Sequence, residues 1–187
     1  MTTPRTAAIA RAQQNLLNRP LFLDTETTGL DPRAEIVEIA VIDHDGGVLL
    51  DTLVKPTRPI PWDATRVHGI SNEMVANAPT WGDIWPQVQS ILTGRRVGIY
   101  NAEFDLRMIQ QSHAAQKIAD GAAGARAFCI MKLYAEFYGE RGSHGDFRWQ
   151  SLDKAARQCG IALPNSHRAG ADALLARALL AYVAGAD

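Results

Sequence analysis

The amino-acid sequence predicts an α/β domain: a mixed β-sheet, an antiparallel meander continued by parallel strands, flanked by α-helices. Two observations carry this expectation. Three strand-like runs come first, at residues 20–25, 36–43 and 48–54. The second and third are joined by Asp-His-Asp-Gly-Gly, a hairpin signal because glycine supplies the positive φ that a tight turn needs. Beyond them helical and strand-like patterns alternate, which is how helices come to cover a sheet. A length of 187 residues suits one domain with a single good-sized core.

The elements follow in order. Residues 5–18 scatter Ala7, Ile9, Ala10, Leu16 and Leu17 among polar neighbours, an amphipathic helix that stops before Pro20. The expected organisation is therefore an N-terminal helical extension over 1–19 and one domain over 20–187. After the three strands, the prolines of Lys-Pro-Thr-Arg-Pro-Ile-Pro-Trp at 55–62 block helix and central strand alike, giving an irregular connection to Val67. Ser71 and Thr80 are expected helix caps, and 81–92 reads as a helix broken near its start by Pro86. Residues 96–101 form a fourth strand that feeds a helix over 102–117. A Gly/Ala-rich loop at 119–125 precedes a fifth strand at 127–130 and a helix at 131–138. A glycine-rich polar loop covers 139–146, and helices at 151–159 and 170–184 close the domain. This order of elements matches a ribonuclease H-like fold.

Composition narrows the class. A 47% hydrophobic and 21% charged chain is ordinary globular protein, and no apolar run approaches the length that crosses a bilayer. The N-terminus lacks the continuous apolar stretch of a signal peptide, so a soluble, cytoplasmic protein is expected. Cys129 and Cys159 are too few for a disulfide framework and lack zinc-site spacing. The net charge of −1 excludes nucleic-acid binding by overall basicity, so a polyanion must be held locally. Arg141, Arg148 and Arg168 are candidates, arginine being the better bidentate partner for phosphate.

The chemistry begins in the first strand. Side chains alternate faces along a strand, so Asp24 and Glu26 look the same way and Thr25 the other. Next to apolar residues such a pair repels itself and loses hydration, and one member stays protonated unless a cation sits between them. Carboxylate oxygen is what hard divalent ions such as Mg²⁺ and Mn²⁺ prefer. The alternative is an exposed strand end whose acids are merely solvated. Asp105 lies where the fourth strand turns into a helix, the place where open α/β sheets bind ligands, although an acid in a first helical turn is also favoured by the helix dipole. His167 and Asp172 straddle the start of the last helix and can enter one cleft, or stand as a loop histidine and another first-turn acid. Four acids and one base, most of them at the ends of apolar elements, argue for a shared site.

The order and local sequences resemble the histidine subclass of the DEDD exonuclease superfamily, the DnaQ-like DEDDh family, over nearly the whole chain after the first helix. Residues 22–30, Phe-Leu-Asp-Thr-Glu-Thr-Thr-Gly-Leu, resemble its first motif. Residues 101–105, Asn-Ala-Glu-Phe-Asp, resemble the second, and 167–172, His-Arg-Ala-Gly-Ala-Asp, the third. Residues 67–70, Val-His-Gly-Ile, and 151–161 resemble segments between the motifs. Gly170 departs from the bulkier aliphatic residue that many members carry there.

The resemblance implies a metal-dependent 3′-to-5′ exonuclease that releases nucleoside 5′-monophosphates with two divalent ions, Mg²⁺ or Mn²⁺. Asp24, Glu26 and Asp172 hold one ion, Asp24 bridges to the second, and Asp105 holds a metal-bound water or the second ion through water. His167 is the general base. Thr27, Gly29 and Leu30 follow the first acids: backbone amides at the Gly29 turn meet the terminal sugar, while Leu30 and Phe104 wedge the last base or are ordinary core residues. His68 flanks the terminal nucleotide or packs on Trp62. The expected partner is the 3′ end of nucleic acid, single-stranded DNA ahead of RNA, in proofreading or repair. RNA 3′-end trimming and an inactive nucleic-acid-binding module are the alternatives. The chain stops at Asp187 directly after the last helix, so docking to a polymerase through a C-terminal segment is not expected. The loop at 139–149, with Arg141, His144, Arg148 and Trp149, either grips phosphate or a base or is a solvated connection.

Overall fold

The computed structural model describes residues 3–119, 125–142, 145–162 and 167–185. Three strands come early, β1 (Leu21–Thr27), β2 (Ile36–Ile42) and β3 (Val48–Leu53), preceded by helix α1 (Pro4–Leu17). Next come α2 (Trp62–His68), α3 (Asn72–Val75), α4 (Trp81–Leu92), β4 (Arg96–Ile99), α5 (Ala102–Ala115), β5 (Arg126–Cys129), α6 (Ile130–Tyr138), α7 (Leu152–Gln158) and α8 (Ala169–Gly185). The sheet order is β3-β2-β1-β4-β5. β1 pairs antiparallel with β2 and β2 with β3, while β4 runs parallel to both β1 and β5. The expected mixed sheet is therefore present, with β1 at its centre. Among the described residues no helix is long and apolar enough to cross a membrane.

Alternation along β1 sets up two cores. Leu21 and Leu23 face a cluster built with Trp81, Trp85 and Val88 of α4 and Met108 of α5. Phe22 faces the other side, where Leu175, Leu179 and Leu180 of α8 pack with α6, α7 and Ala8 and Ala12 of α1. Continuing the same parity, Asp24 and Glu26 point to the α8 side and Thr25 to the α5 side. The sheet thus sorts its polar residues by face before any helix arrives.

Two expectations need correcting. The proline-rich connection leads directly into α2, because Pro61 occupies the N-cap and the helix starts at Trp62, where no intrahelical N–H bond is required. Gly69 ends it in the left-handed conformation, φ +75°, that a side chain would resist. The helix at Trp81–Leu92 is not broken by Pro86. Thr80 and Asp83 form a capping box, and Trp81, Ile84, Trp85, Val88 and Leu92 are buried, which outweighs the one backbone bond that proline removes. The Gly/Ala-rich loop lies largely outside the described residues, as does His144.

The unusual Gly170 has a steric reason. A Cβ there would sit 2.5 Å from the Asp51 carboxylate of β3. Because the contact is with the tip of an exposed side chain, Gly170→Ala should turn the Asp51 carboxylate aside at a cost below the ~1–3 kcal/mol of overpacking a closed core, and adding Asp51→Ala should raise Tm above that of the single variant. An equal Tm for the single and double variants would contradict this packing.

Candidate active site

Three elements converge on the C-terminal half of β1. On β1, β4 pairs only with Leu21 and Phe22, so the two strands have parted before β1 reaches its acids. The first turn of α5 enters at that point and presents Asp105, which is buried. The Thr25 hydroxyl donates to Asp105 Oδ1 at 2.7 Å, tying α5 to the opposite face of β1. From the other side α8 lays Asp172, one turn from its start and 7% exposed, over Asp24 and Glu26. Carboxylate oxygens of Asp24, Glu26 and Asp172 all lie within 4.8 Å of one another. Asp105 stands beside this set, held by Thr25.

The start of α8 is fixed by a contact that the sequence reading did not use. Glu38, opposite Glu26 in the β1–β2 register and only 2% exposed, faces the same side. The Arg168 Nε–H donates to both Glu38 oxygens at 3.0 and 3.1 Å, Nη2 donates to Oε1, and the Ala169 amide donates to Oε2 at 2.9 Å. Glu38 therefore binds a guanidinium and caps the helix that carries Asp172. His167, at a left-handed φ of +48° that non-glycine residues seldom adopt, sits just ahead of this clamp and is exposed. A charged residue inside a strand buried at every position was the available signal, since such a charge needs a partner.

Two hollows flank the acids. One, of about 620 Å³, is lined by Glu26, Thr27, Gly29, Leu30, His68 and Phe104 among others. All five residues expected to contact substrate therefore share one cavity. Leu30 is 79% exposed at its rim, and the Thr27 hydroxyl donates to the Gly29 carbonyl at 2.8 Å. His68 lies at the end of α2, and it is Arg66 whose guanidinium covers Trp62. The Ile70 amide donates to His68 Nδ1 at 3.0 Å and Nε2 lies 3.2 Å from the Thr27 carbonyl, so the ring fastens α2 to β1 as the Nε2–H tautomer. Burial lowers its pKa in the same sense. The second hollow, of about 510 Å³, is lined by Asp24, Tyr100, Ser151, Asp153, His167 and Asp172. His167 thus shares a space with two of the acids.

Burial and mutual repulsion push these carboxyls up. Burial raises Asp24 well above the ordinary aspartate value, with Asp105, Asp172, Glu26 and Glu38 adding to it. Glu26 rises to about 8 through burial and then the charges of Asp172, Glu38 and Asp105, against a smaller opposing effect of Arg168. Burial takes Asp105 to about 7, opposed by its bonds to Thr25. Three oxygen ligands, short of positive charge because Arg168 is committed to Glu38, fit a hard divalent cation. A second group, Asp43, His44 and Asp45, sits in the β2–β3 turn. There Asp43 accepts from the His44 amide and from Arg95, and Asp45 from the Gly47 amide, which accounts for them as turn chemistry.

The sign of the pH effect follows. Glu26 ionises at 4.5 when solvated and at about 8 here, so between those values the folded chain holds a proton that the unfolded chain releases. Stability contributed below pH 4.5 is lost as pH rises toward 8. With chelator present, Tm should fall by several degrees between pH 5 and 8. Added Mn²⁺ should raise Tm more at pH 8 than at pH 6, because ligands must be deprotonated to bind. A Tm that rises with pH in chelator would contradict the crowding of these acids.

Comparison with known proteins agrees with this geometry. A family model described as Exonuclease (RNase_T) matches residues 21–180. An uncharacterized exonuclease, CP81, of Escherichia phage 186 is 46% identical over 167 residues, covering 87% of this chain and 86% of that protein. A DNA polymerase III subunit epsilon-like protein of Rhodobacter capsulatus is 32% identical over 87% of this chain but only 23% of its own length. Among solved structures, Exonuclease X in complex with 5′ overhanging duplex DNA superposes with a TM-score of 0.66 at 28% identity, covering 87% of this chain and 89% of that one. The nuclease domain of 3′hExo, a DEDDh family member bound to rAMP, shares the fold at TM-score 0.70 and 16% identity, covering 85% and 88%. With the sheet order, the carboxylate cluster and a family match spanning most of its length, the chain belongs to the DnaQ-like DEDDh exonucleases, hydrolases acting on phosphodiester bonds.

Proposed function

We propose that this chain is a divalent-metal-dependent exonuclease that removes mononucleotides from the 3′ end of single-stranded DNA and releases nucleoside 5′-monophosphates. The observation that carries the reading is the set of three carboxylates within 4.8 Å of one another between two hollows, Glu26 lining the one of about 620 Å³ and Asp24 and Asp172 the one of about 510 Å³. A cavity of the larger volume suits one nucleotide, and the acids stand where its 5′ phosphodiester would lie. DNA is favoured because Exonuclease X, at 28% identity against 16% for the 3′hExo domain bound to rAMP, was solved in complex with 5′ overhanging duplex DNA.

Asp24, Glu26 and Asp172 would hold the first ion, and Asp24 with Asp105 the second, Mg²⁺ or Mn²⁺. Bound there, the ions supply an acidified water and neutralise charge on the phosphate and the leaving oxygen. The protein does the rest. Leu30 and Phe104 offer apolar faces to the terminal base, with Arg107 lying 5.4 Å over the Phe104 ring. Base contacts of this kind tolerate any base, so cleavage should be largely independent of sequence. Thr27 and Gly29, whose backbone is set by the Thr27 hydroxyl bond, present amides to the sugar. His167 accepts the proton of the attacking water from the second hollow, its position set by the Arg168–Glu38 clamp. Proton transfer to a side chain contributes about 10²–10⁴ in rate.

Asp24→Ala should abolish Mg²⁺- or Mn²⁺-dependent release of mononucleotides from a 3′-terminal oligonucleotide. His167→Ala should lower kcat at neutral pH by roughly 10²–10⁴, with folding checked by circular dichroism. Undiminished turnover in the Asp24 variant would sink the reading. Matched DNA and RNA oligonucleotides assayed side by side decide the sugar: faster RNA turnover would turn the proposal into 3′-end trimming of RNA.

A further inference from the structure

Nucleic acid that enters an active site by its end must leave on the far side of the reacting bond. With the terminal nucleotide in the cavity under Leu30, the open way for the rest of the strand would be the hollow on the other side of the acids, lined by Asp24, Tyr100, Ser151 and His167. Two residues before Ser151 stands Trp149, 57% exposed. Its neighbours on both sides are pinned. The Arg148 amide donates to the Glu140 carbonyl at 2.8 Å, the Tyr100 hydroxyl donates to the Gln150 carbonyl at 2.9 Å, and the Gln150 side-chain amide donates to the Glu140 carboxylate at 2.9 Å. An indole is thus held out in water on fixed backbone beside the exit of the site.

The surface beyond it continues the pattern. The Lys132 ammonium lies 5.8 Å from the centre of the Trp149 ring. Lys132 also lines a groove of about 440 Å³ between α1, α6 and the β5 edge of the sheet, together with Arg11, Arg96 and Phe128. The Arg96 guanidinium sits 5.5 Å from the Phe128 ring centre. Two aromatic rings, each with a cation against it, therefore lie in succession away from the acids. Two carboxylates oppose the cations here: Glu103 pairs with Lys132 and Glu136 with Arg11. Both pairs are solvent-accessible, the kind that contributes little and that a phosphate can replace.

We propose that Trp149, Lys132 and this groove form a track for the single strand on the 5′ side of the scissile bond. Trp149 stacks on a base, Lys132 and Arg11 meet phosphates, and Phe128 offers a second face further along. Aromatic rings alternating with cations are how sequence-tolerant binding of single strands is achieved. The local groove also answers how a chain of net charge −1 holds a polyanion. The track rests on the exonuclease reading above, and its contribution grows with the length of strand bound.

The test compares dT₃ with dT₁₂ as substrates for wild type, Trp149→Ala, Trp149→Phe and Lys132→Ala, together with anisotropy of 5′-labelled dT₁₂ in Ca²⁺. The loss of kcat/KM in Trp149→Ala should be about 10-fold greater on dT₁₂ than on dT₃, carried by KM, with a matching loss of dT₁₂ affinity. Trp149→Phe should recover most of it, and Lys132→Ala should show a smaller loss with the same dependence on length. Equal losses on both substrates, or undiminished dT₁₂ affinity, would overturn the track while leaving the exonuclease reading intact. A wild type that neither binds dT₁₂ nor releases nucleotide from it would overturn both.

Discussion

The structure turns on an excess of carboxylate at one place. Asp24, Glu26, Glu38, Asp51 and Asp172 occupy the sheet face and helix turn where α8 begins, and burial raises Asp24, Glu26 and Asp51 above their ordinary values. A fold does not keep such a group without compensation, because each acid deprived of water favours its neutral form. Glu38 has its compensation built in: Arg168 and the Ala169 amide satisfy it. Asp24, Glu26 and Asp172 have geometry that suits an ion instead. One acid thus fixes the helix, while the other three converge within 4.8 Å of one another.

That division explains why the site is rigid on one side and open on the other. The Glu38 clamp, the Thr25–Asp105 bond and the His68 ring each join β1 or β2 to a different helix. The acids are therefore positioned by elements that are themselves packed into two cores. The solvent-facing Leu30 and His167 lie on the margins of the two hollows, one on each. Whatever meets the acids does so between those margins.

Much of this was legible in the sequence where the controlling distances are short. Period-two alternation placed Asp24 and Glu26 together and Thr25 opposite, and the hairpin glycines located the β2–β3 turn. The mixed sheet followed from the order of elements, and the four candidate acids from the order of motifs. Other features were not legible for physical reasons. Pro61 and Pro86 read as breakers, yet one stands at a helix start and the other inside a helix that a capping box and buried tryptophans hold together. The Glu38–Arg168 contact joins residues 130 apart, and nothing local to either predicts the other. Gly170 read as a departure from its family, whereas a Cβ there would meet the Asp51 carboxylate, which a side chain could enter only by turning it aside. Asp105 already read as the acid apart from the other three, but the bond to Thr25 that holds it beside them joins residues 80 apart and was not legible.

These crowded acids, Asp24 and Glu26 half-buried and Asp172 buried, are expected to hold protons until a divalent ion replaces them. Calorimetric titration with Mn²⁺ at pH 7, in two buffers of different ionisation enthalpy, measures both the binding and the protons expelled. The account predicts Mn²⁺ binding with release of about one proton or more per chain at pH 7, lost in Asp24→Asn. Binding without proton release, or no binding at all, would contradict it.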